Sequence, residues 1–147
     1  MTVSDCIFCR IVAGTSDCLE IYQDEATLAF MDINPANDGH CLVIPKAHFE
    51  NVFDMPPSDF GTVASTAAKV ARAVNEVLRP GGINLAQANG EAAGQSVLHV
   101  HIHVLPRRTS DNLLMNWSRD GNGDRRFDRD RIAEIAELLP CRDLDRI

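Results

Sequence analysis

The chain has 147 residues, of which 45% are hydrophobic, and its formal net charge is −7 at pH 7. This length allows one sizeable hydrophobic core, so we expect residues 1–147 to form a single domain, and the acidic balance argues against nucleic-acid binding. No apolar run is long enough for a membrane span, no signal-peptide pattern is present, and the cysteines are odd in number, so we expect a cytoplasmic protein without a disulfide framework.

A C-x-x-C motif lies near the N-terminus, at Cys6 and Cys9. A redox pair would need a βαβ context, which does not follow here. The two thiols are also suited to half of a zinc site, which would take two further ligands from elsewhere in the chain. His48 and His99 are candidates, and His40 could take the place of His48. Two small buried cysteines without a metal are a third interpretation.

Strand and helix patterns follow one another through the first half of the chain. Leu19 to Gln23, Ala26 to Asp32 and His40 to Ile44 predict three strands, of which the first two are joined by a turn at Asp24-Glu25. From Ser58 to Arg79, apolar residues recur at steps of three and four, which predicts one amphipathic helix with Ser58 as its N-cap. We expect this helix to pack across the sheet.

A fourth strand is predicted from Ile83 to Ala88, followed by a glycine-containing loop from Asn89 to Ser96. Glycines in such a loop let backbone N–H groups face a phosphate without a Cβ in the way, although a plain hairpin loop explains the same residues. Near the C-terminus, Thr109 to Phe127 predict a loop, and Asp128 to Leu139 predict a helix with Asp128 as its cap.

The segment from His99 to Val104 alternates histidines with β-branched residues. In a strand, this spacing directs Val100, Ile102 and Val104 to one face and the imidazoles of His99, His101 and His103 to the other. Imidazoles can exchange protons near neutral pH or bind a metal. A histidine-rich polar outer face is the plainer interpretation.

The residues from Gly94 to Leu105 resemble the signature of the histidine triad (HIT) family of nucleotide hydrolases and transferases, whose pattern is His-φ-His-φ-His-φ-φ with φ apolar. The resemblance extends from about Asp5 to Arg107. It implies an α+β HIT fold, in which an antiparallel sheet of about five strands packs against one long helix and a C-terminal helix. It also implies a homodimer.

The resemblance implies a nucleoside pocket in the first half of the chain. Phe8, Ile11, Phe30 and Ile33 would line the base, and Asp32 would bind the ribose hydroxyls, since a carboxylate accepts well from two vicinal hydroxyls. Core packing is the alternative role for the four apolar residues. The bound partner would be a purine nucleotide such as AMP or an adenylated small molecule.

The resemblance also assigns the glycine-containing loop and the metal ligands. The α-phosphate would be held by Asn89, Gly94, Gln95, Ser96 and Val97, and Ser96 could contact the leaving group. A structural zinc ion would be held by Cys6, Cys9, His48 and His99, because many bacterial HIT proteins and the related galactose-1-phosphate uridylyltransferases carry a comparable site.

The catalytic roles implied by the resemblance fall on the histidines. His101 would attack the α-phosphorus and form a nucleotidyl-histidine, His103 would stabilise charge on the phosphoryl oxygens, and His40 would support the row through hydrogen bonds. Water would then release a nucleoside monophosphate.

The leading interpretation is hydrolysis of purine nucleoside phosphoramidates or related adenylated compounds. Cleavage of dinucleoside polyphosphates, by hydrolysis or phosphorolysis, is a second, and a nucleotide-binding regulatory protein with incidental catalysis is a third. Trp117 and the tail do not match the ending of the phosphoramidase branch, so the leaving group stays open.

Overall fold

The computed structural model describes residues 5–113 and 129–139. In chain order the elements are α1 (Ile7–Val12), β1 (Glu20–Gln23), β2 (Thr27–Met31), β3 (Cys41–Pro45), α2 (Pro57–Leu78), β4 (Gly82–Ala86), β5 (Ile102–Arg107) and α3 (Arg129–Leu138). A single 3-10 turn spans Glu91–Ala93 within the loop between β4 and β5. Among these residues, no helix has both the length and the apolar character needed to cross a membrane.

The five strands form one antiparallel sheet in the order β1-β2-β3-β5-β4. This confirms the α+β fold with a five-stranded antiparallel sheet. β3 and β5 are neighbours although α2 and β4 lie between them in the chain, and their register pairs Leu42 with His103. The crossover therefore brings residues near position 40 beside the histidine-rich segment, which is distant in sequence.

Both faces of the central strands are buried. On one face, Ala29, Met31 and Val43 pack in a large cluster with α2; on the other, Phe30 and Ile44 pack in a smaller cluster that includes Phe8 of α1. The sheet thus separates a large core under α2 from a small core under α1. The histidine rings lie on the α1 side, where His99 and His101 contact the edge of Phe8.

The long helix α2 buries one stripe, as its periodicity predicts. Val63, Ala67, Val70 and Val74 are buried at successive steps of three and four. The N-cap prediction was wrong: α2 begins at Pro57, and its capping position is Pro56, which makes no side-chain capping bond. Proline suits a first helical position because its missing N–H would have no partner there and its φ is already helical.

The strand that contains the histidines begins later than predicted, at Ile102 instead of His99, and runs on to Arg107. The register of β3 with β5 would place Val100 opposite Pro45, which has no N–H to donate. Val100 instead donates its N–H to the carbonyl of Phe49 at 2.7 Å. The predicted alternation still holds, because Val100, Ile102 and Val104 all pack in the core under α2.

The C-terminal helix α3 packs on the same large core. Ile132 and Ile135 are buried in it, and Arg131 contacts Asp38 with 3.1 Å between Nε and Oδ2. The helix predicted to end at Leu139 is therefore present as Arg129–Leu138. Its predicted cap Asp128, Trp117 and most of the predicted 109–127 loop lie outside the described residues.

Candidate functional site

Four predicted metal ligands converge from three parts of the chain. Cys6 directly precedes α1, and Cys9 lies three residues on, so both thiols share one side of the first helical turn. His48 follows the end of β3, and His99 precedes β5. The candidate ligand atoms of these residues, which we call the Cys/His cluster, all lie within 4.8 Å of one another.

Three of four distances between ligand atoms of the Cys/His cluster match a tetrahedral zinc site, and the fourth, between His48 and Cys9, is shorter. Bond lengths of about 2.3 Å for sulfur and about 2.0–2.1 Å for nitrogen place tetrahedral S and N ligands about 3.5–3.6 Å apart and two N ligands about 3.3–3.4 Å apart. The Nδ1 atoms of His48 and His99 are 3.3 Å apart. Nδ1 of His99 is 3.5 Å from Sγ of Cys6 and 3.6 Å from Sγ of Cys9. His48 Nδ1 lies 3.2 Å from Cys9 Sγ.

Hydrogen bonding prepares His99 to be a ligand. Its Nε2 donates to the carbonyl of Pro45 at 2.9 Å, which leaves the lone pair on Nδ1 facing the cysteines. Burial is the main cause that lowers the pKa of His99, to about 4, so the ring is neutral at pH 7. Burial and the neighbouring Cys6 raise the pKa of Cys9 to about 11. A divalent cation would offset the cost of placing two thiolates side by side.

Asp32, His40 and His103 form a second group of possible ligands within 4.8 Å, which we call the Asp/His cluster. The backbone N–H of Ala36 donates to Nδ1 of His40 at 3.1 Å, so the proton of neutral His40 lies on Nε2. That proton is donated to Nδ1 of His103, 2.9 Å away. The proton of His103 therefore lies on Nε2, which makes this nitrogen a hydrogen-bond donor and not an acceptor.

The same tautomers argue against a metal ion in the Asp/His cluster. To bind a metal through Nε2, His40 would have to carry its proton on Nδ1, which would then face the N–H of Ala36. The Oδ2 atom of Asp32 lies 3.6 Å from Nε2 of His40. Burial, followed by the neighbouring His101 and His40, lowers the pKa of His103 to about 3. The arrangement is a neutral hydrogen-bonded chain beside a carboxylate.

His101 lies between the two clusters with its tautomer also fixed. Its Nδ1 is 2.7 Å from the carbonyl of His99, which can only accept, so Nδ1 carries the proton and Nε2 the lone pair. Burial is the largest influence on the pKa of His101 and lowers it, against the opposing effects of that carbonyl and of Asp32. The ring centroids of His101 and His103 are 4.9 Å apart. A neutral imidazole with a free Nε2 thus lies beside an Nε2–H donor.

The glycine-containing loop approaches the histidines from the end of β4. Gly90 and Gly94 have φ angles of 85° and 86°, a region that side chains with a Cβ rarely adopt. The Asn89 Oδ1 atom accepts the N–H of Val52 at 2.9 Å. Ser96 is exposed and Val97 half-buried, whereas Gln95 is buried. The loop therefore presents backbone and a serine hydroxyl outward while the glutamine turns inward.

Only some of the residues predicted to form the nucleoside pocket lie together. Phe8 and Phe30 meet edge to face with centroids 5.5 Å apart, and the half-buried Ile11 packs on the same cluster. Ile33 is outside that cluster and 63% exposed. Asp32 lies between these regions: Oδ1 accepts the N–H of Asn34 at 2.8 Å, while Oδ2 faces His40.

A polar network that the sequence analysis did not identify holds the turn before His40. Arg107 forms a two-bond ion pair with Asp111, at 2.7 and 3.0 Å, and Asp111 also accepts from Nδ2 of Asn37 at 2.9 Å. Asn37 in turn accepts the backbone N–H of His40 at 3.1 Å. No residue pattern distinguishes Asp111 from other loop aspartates, so only tertiary structure reveals its role.

Comparisons with known proteins agree with this geometry. A family model described as the HIT domain matches residues 13–110, and the chain belongs to that family, whose members are generally nucleotide hydrolases and transferases. It is 36% identical over 138 residues to "Adenylylsulfatase HINT3" of Arabidopsis thaliana, covering 94% of this chain and 68% of that protein. It is 45% identical over 103 residues to "Protein hit" of Bacillus subtilis, covering 70% and 71%.

A solved structure matches nearly the whole chain. The crystal structure of a Zn-bound histidine triad family protein from Mycobacterium smegmatis superposes with a TM-score of 0.79 at 38% identity, covering 94% of this chain and 92% of that one. The fold and the bacterial-type HIT family predicted from the residues are therefore confirmed.

Proposed function

We propose that the protein hydrolyses purine nucleoside phosphoramidates or related adenylated compounds at the α-phosphorus, through a nucleotidyl intermediate on His101. One observation carries this proposal: the 2.7 Å contact of His101 Nδ1 with the His99 carbonyl, which leaves Nε2 as a neutral nucleophile. The lowered pKa of His101 keeps that nitrogen unprotonated at neutral pH.

The first half of the reaction uses the two histidines and the loop. Nε2 of His101 attacks the α-phosphorus, and a P–N bond forms as the bond to the leaving group breaks. The positive charge that develops on the ring is shared with the His99 carbonyl through the Nδ1–H bond. Nε2–H of His103, the Ser96 hydroxyl and backbone N–H groups of the loop donate to the phosphoryl oxygens. The leaving group departs with a proton from solvent or from the hydroxyl of Ser96.

In the second half, water attacks the phosphorus of the nucleotidyl-histidine from the face that the leaving group vacated, and it gives up a proton to solvent, or to the Ser96 oxygen where that hydroxyl protonated the leaving group. The P–N bond breaks, the electron pair returns to Nε2 of His101, and the nucleoside monophosphate leaves. The Asp/His cluster keeps His103 in one tautomer through both halves, because Ala36 fixes His40 and His40 fixes His103. His40 thereby acts as a positioning residue.

The nucleoside would bind on the α1 side of the sheet. Phe8, Ile11 and Phe30 offer an apolar wall for a purine base, and the carboxylate of Asp32 would accept from the ribose hydroxyls. We assign Ile33 to the outer rim of this pocket because of its exposure. Asn89 and the backbone at Gly94 and Val97 would complete the phosphate site.

The residues of the Cys/His cluster fit a zinc ion in both donor type and spacing. Zinc held by Cys6, Cys9, His48 and His99 would have a closed coordination shell and would stabilise the fold instead of activating water. His99 would then hold α1 in place through its ring and would orient His101 through its carbonyl.

A substrate panel tests the proposal. Adenosine 5′-phosphoramidate should be hydrolysed to AMP faster than diadenosine polyphosphates, and adenosine 5′-phosphosulfate belongs in the panel because a 36%-identical relative is named an adenylylsulfatase. Tight AMP binding with negligible turnover on every substrate would refute the enzyme and favour a binding protein. We also propose, from the family resemblance, a cytoplasmic homodimer, which equilibrium sedimentation would test.

A further inference from the structure

Gln95 is a buried polar side chain in an otherwise exposed loop. Its neighbours Gly94 and Ser96 are exposed, whereas Gln95 is 7% exposed. Its Oε1 accepts the N–H of Gly90 at 2.7 Å, and its Nε2 donates to the carbonyls of Glu50 at 2.6 Å and Val97 at 3.0 Å. Both amide protons are used, so the side chain has no donor left for a phosphate.

These three bonds join three separate segments. Gly90 begins the loop, Val97 ends it just before His99, and Glu50 follows the predicted metal ligand His48. Two further bonds connect the same regions: Val52 N–H to Oδ1 of Asn89 at 2.9 Å, and Val100 N–H to the carbonyl of Phe49 at 2.7 Å. The loop is therefore fastened to residues 49–52 at both of its ends.

We infer that Gln95 is a positioning residue that fixes the backbone of the 89–96 loop relative to His101 and does not itself contact the nucleotide. The inference rests on the proposed function for the meaning of the loop, but the hydrogen bonds do not depend on it. Donors that stabilise a transition state act best when their positions are fixed before the reaction. A side chain that holds a loop in position must be buried and must direct its hydrogen bonds to the protein, as Gln95 does.

Two substitutions separate the bonds of Gln95. Gln95→Met has a similar volume and no charge, and it removes all three bonds. Gln95→Glu keeps an oxygen that can accept from Gly90 but places a second oxygen against the carbonyls of Glu50 and Val97. Gln23→Met is the matched control, because Gln23 is exposed on β1 and the bonds of its side chain, to Glu20 and Lys46, lie at the surface away from the loop.

Amide hydrogen exchange measures directly, and without a substrate, whether Gln95 holds the loop in position. In Gln95→Met, the Gly90 amide should exchange at least about tenfold faster than in the wild type, because its acceptor is gone. Gln95→Glu should retain most of the Gly90 protection, and Gln23→Met all of it. Amides of α2 report that each variant is folded. A Gly90 amide that stays protected in Gln95→Met would overturn the inference.

Kinetics distinguish positioning from direct binding. With adenosine 5′-phosphoramidate as substrate, kcat of Gln95→Met should fall by about 10–100-fold, because the loop donors would no longer be held in position for the reaction. The Kd for AMP should stay within about twofold of the wild-type value. An AMP affinity that falls tenfold with kcat unchanged would show that Gln95 is a nucleotide ligand. If Gln95→Met does not fold, Gln95→Glu, which loses the bonds to Glu50 and Val97 but keeps an acceptor for Gly90, should still lower kcat. A wild type that hydrolyses nothing would refute the proposed function, whereas the Gly90 exchange would still decide the role of Gln95.

Discussion

The Cys/His cluster and the Asp/His cluster each bring imidazole nitrogens and other possible metal ligands within 4.8 Å of one another, yet their hydrogen bonds prepare them for different chemistry. In the first, Pro45 accepts from Nε2 of His99 and leaves a lone pair pointing into the cluster. In the second, Ala36 donates to Nδ1 of His40 and leaves a proton pointing into the cluster. A single backbone group, carbonyl or amide, thus distinguishes a candidate metal site from a proton-donating chain.

The largest expected effect concerns His101, which lies between the clusters. His101→Ala should lower turnover of adenosine 5′-phosphoramidate by at least about 10⁴-fold, since removal of a nucleophile is among the most damaging changes to an active site. Binding of AMP, measured by calorimetry, should persist because Phe8, Phe30 and Asp32 remain. Wild-type enzyme quenched rapidly in acid should carry nucleoside monophosphate mass on the His101 peptide. Substantial turnover by His101→Ala would contradict the assignment.

Substitutions in the Asp/His cluster should lower the reaction rate without changing the zinc content. His103→Ala should slow the reaction by about 10²–10³-fold, as the loss of one electrostatic donor does, and should leave the zinc content unchanged. Single-turnover kinetics and metal analysis of the same preparation test both halves. Loss of zinc in His103→Ala would mean that the two clusters are not separate in function.

Substitutions in the Cys/His cluster should remove the zinc and have a much smaller effect on the reaction rate. Protein purified without added zinc should contain about one equivalent, which Cys9→Ala should lose, with a lower melting temperature because metal binding is coupled to folding. Cys18→Ala is the matched control, since Cys18 is a half-buried cysteine outside the cluster. Activity per folded molecule should fall far less than in His103→Ala. Full zinc retention by Cys9→Ala would show that the ligand set is wrong.

Asp32 faces both the pocket and His40, so its substitution tests whether the Asp/His cluster touches the ligand. Asp32→Ala should weaken AMP binding by about 1.5–3 kcal/mol, the range for hydrogen bonds to charged groups, and should hardly change the affinity for a 2′,3′-dideoxy analogue. Asp17→Ala, at an exposed aspartate, is the control. Equal losses for both ligands would make Asp32 a purely structural residue.

The smallest effect is the pH dependence of the Asp111 network that holds the turn before His40. The Arg107 guanidinium, together with backbone N–H groups, holds the pKa of Asp111 well below its ordinary value of 3.8. A depressed pKa adds stability above the ordinary value, and that stability is lost as the pH falls through the folded pKa. Asp111→Asn should therefore lower the free energy of unfolding by about 1 kcal/mol at pH 7.

The control for that measurement is the exposed Asp17→Asn. The difference between wild type and Asp111→Asn should shrink steadily below about pH 4, as urea titrations across pH would show. A difference that is constant down to pH 2 would mean that the ion pair contributes no stability.

The parts of this structure that could be predicted from sequence are those that depend on local pattern. Apolar residues at steps of three and four predicted the helix α2. The alternation of histidines with β-branched residues predicted that Val100, Ile102 and Val104 share one face, which holds even though the strand begins only at Ile102. The resemblance predicted that Cys6, Cys9, His48 and His99 come together, and their candidate ligand atoms lie within 4.8 Å of one another; the roles of the histidines stay predictions. Each of these signals lies within a short stretch of residues.

What could not be predicted depends on backbone groups brought together by the crossover from β3 to β5. The sequence left His40 and His48 as alternative fourth members of the Cys/His cluster, and only the tertiary structure shows that His48 lies in it while His40 lies with Asp32 and His103. The burial of the Gln95 side chain could not be predicted either, because one of its acceptors, the carbonyl of Glu50, is distant in sequence. Backbone amides and carbonyls carry no residue identity, so a sequence pattern cannot report which of them will meet a side chain.

Phe8 lies between Cys6 and Cys9 in the chain, and its ring touches both His99 and His101. One turn of α1 therefore carries two of the proposed zinc ligands and one wall of the proposed base pocket. A chelating buffer would then change base selectivity without altering any side chain that contacts the nucleotide. With zinc bound there, we expect nucleotide affinities from different preparations to be comparable only at equal zinc content, and we expect substitutions at Phe8 that change base preference also to change metal retention.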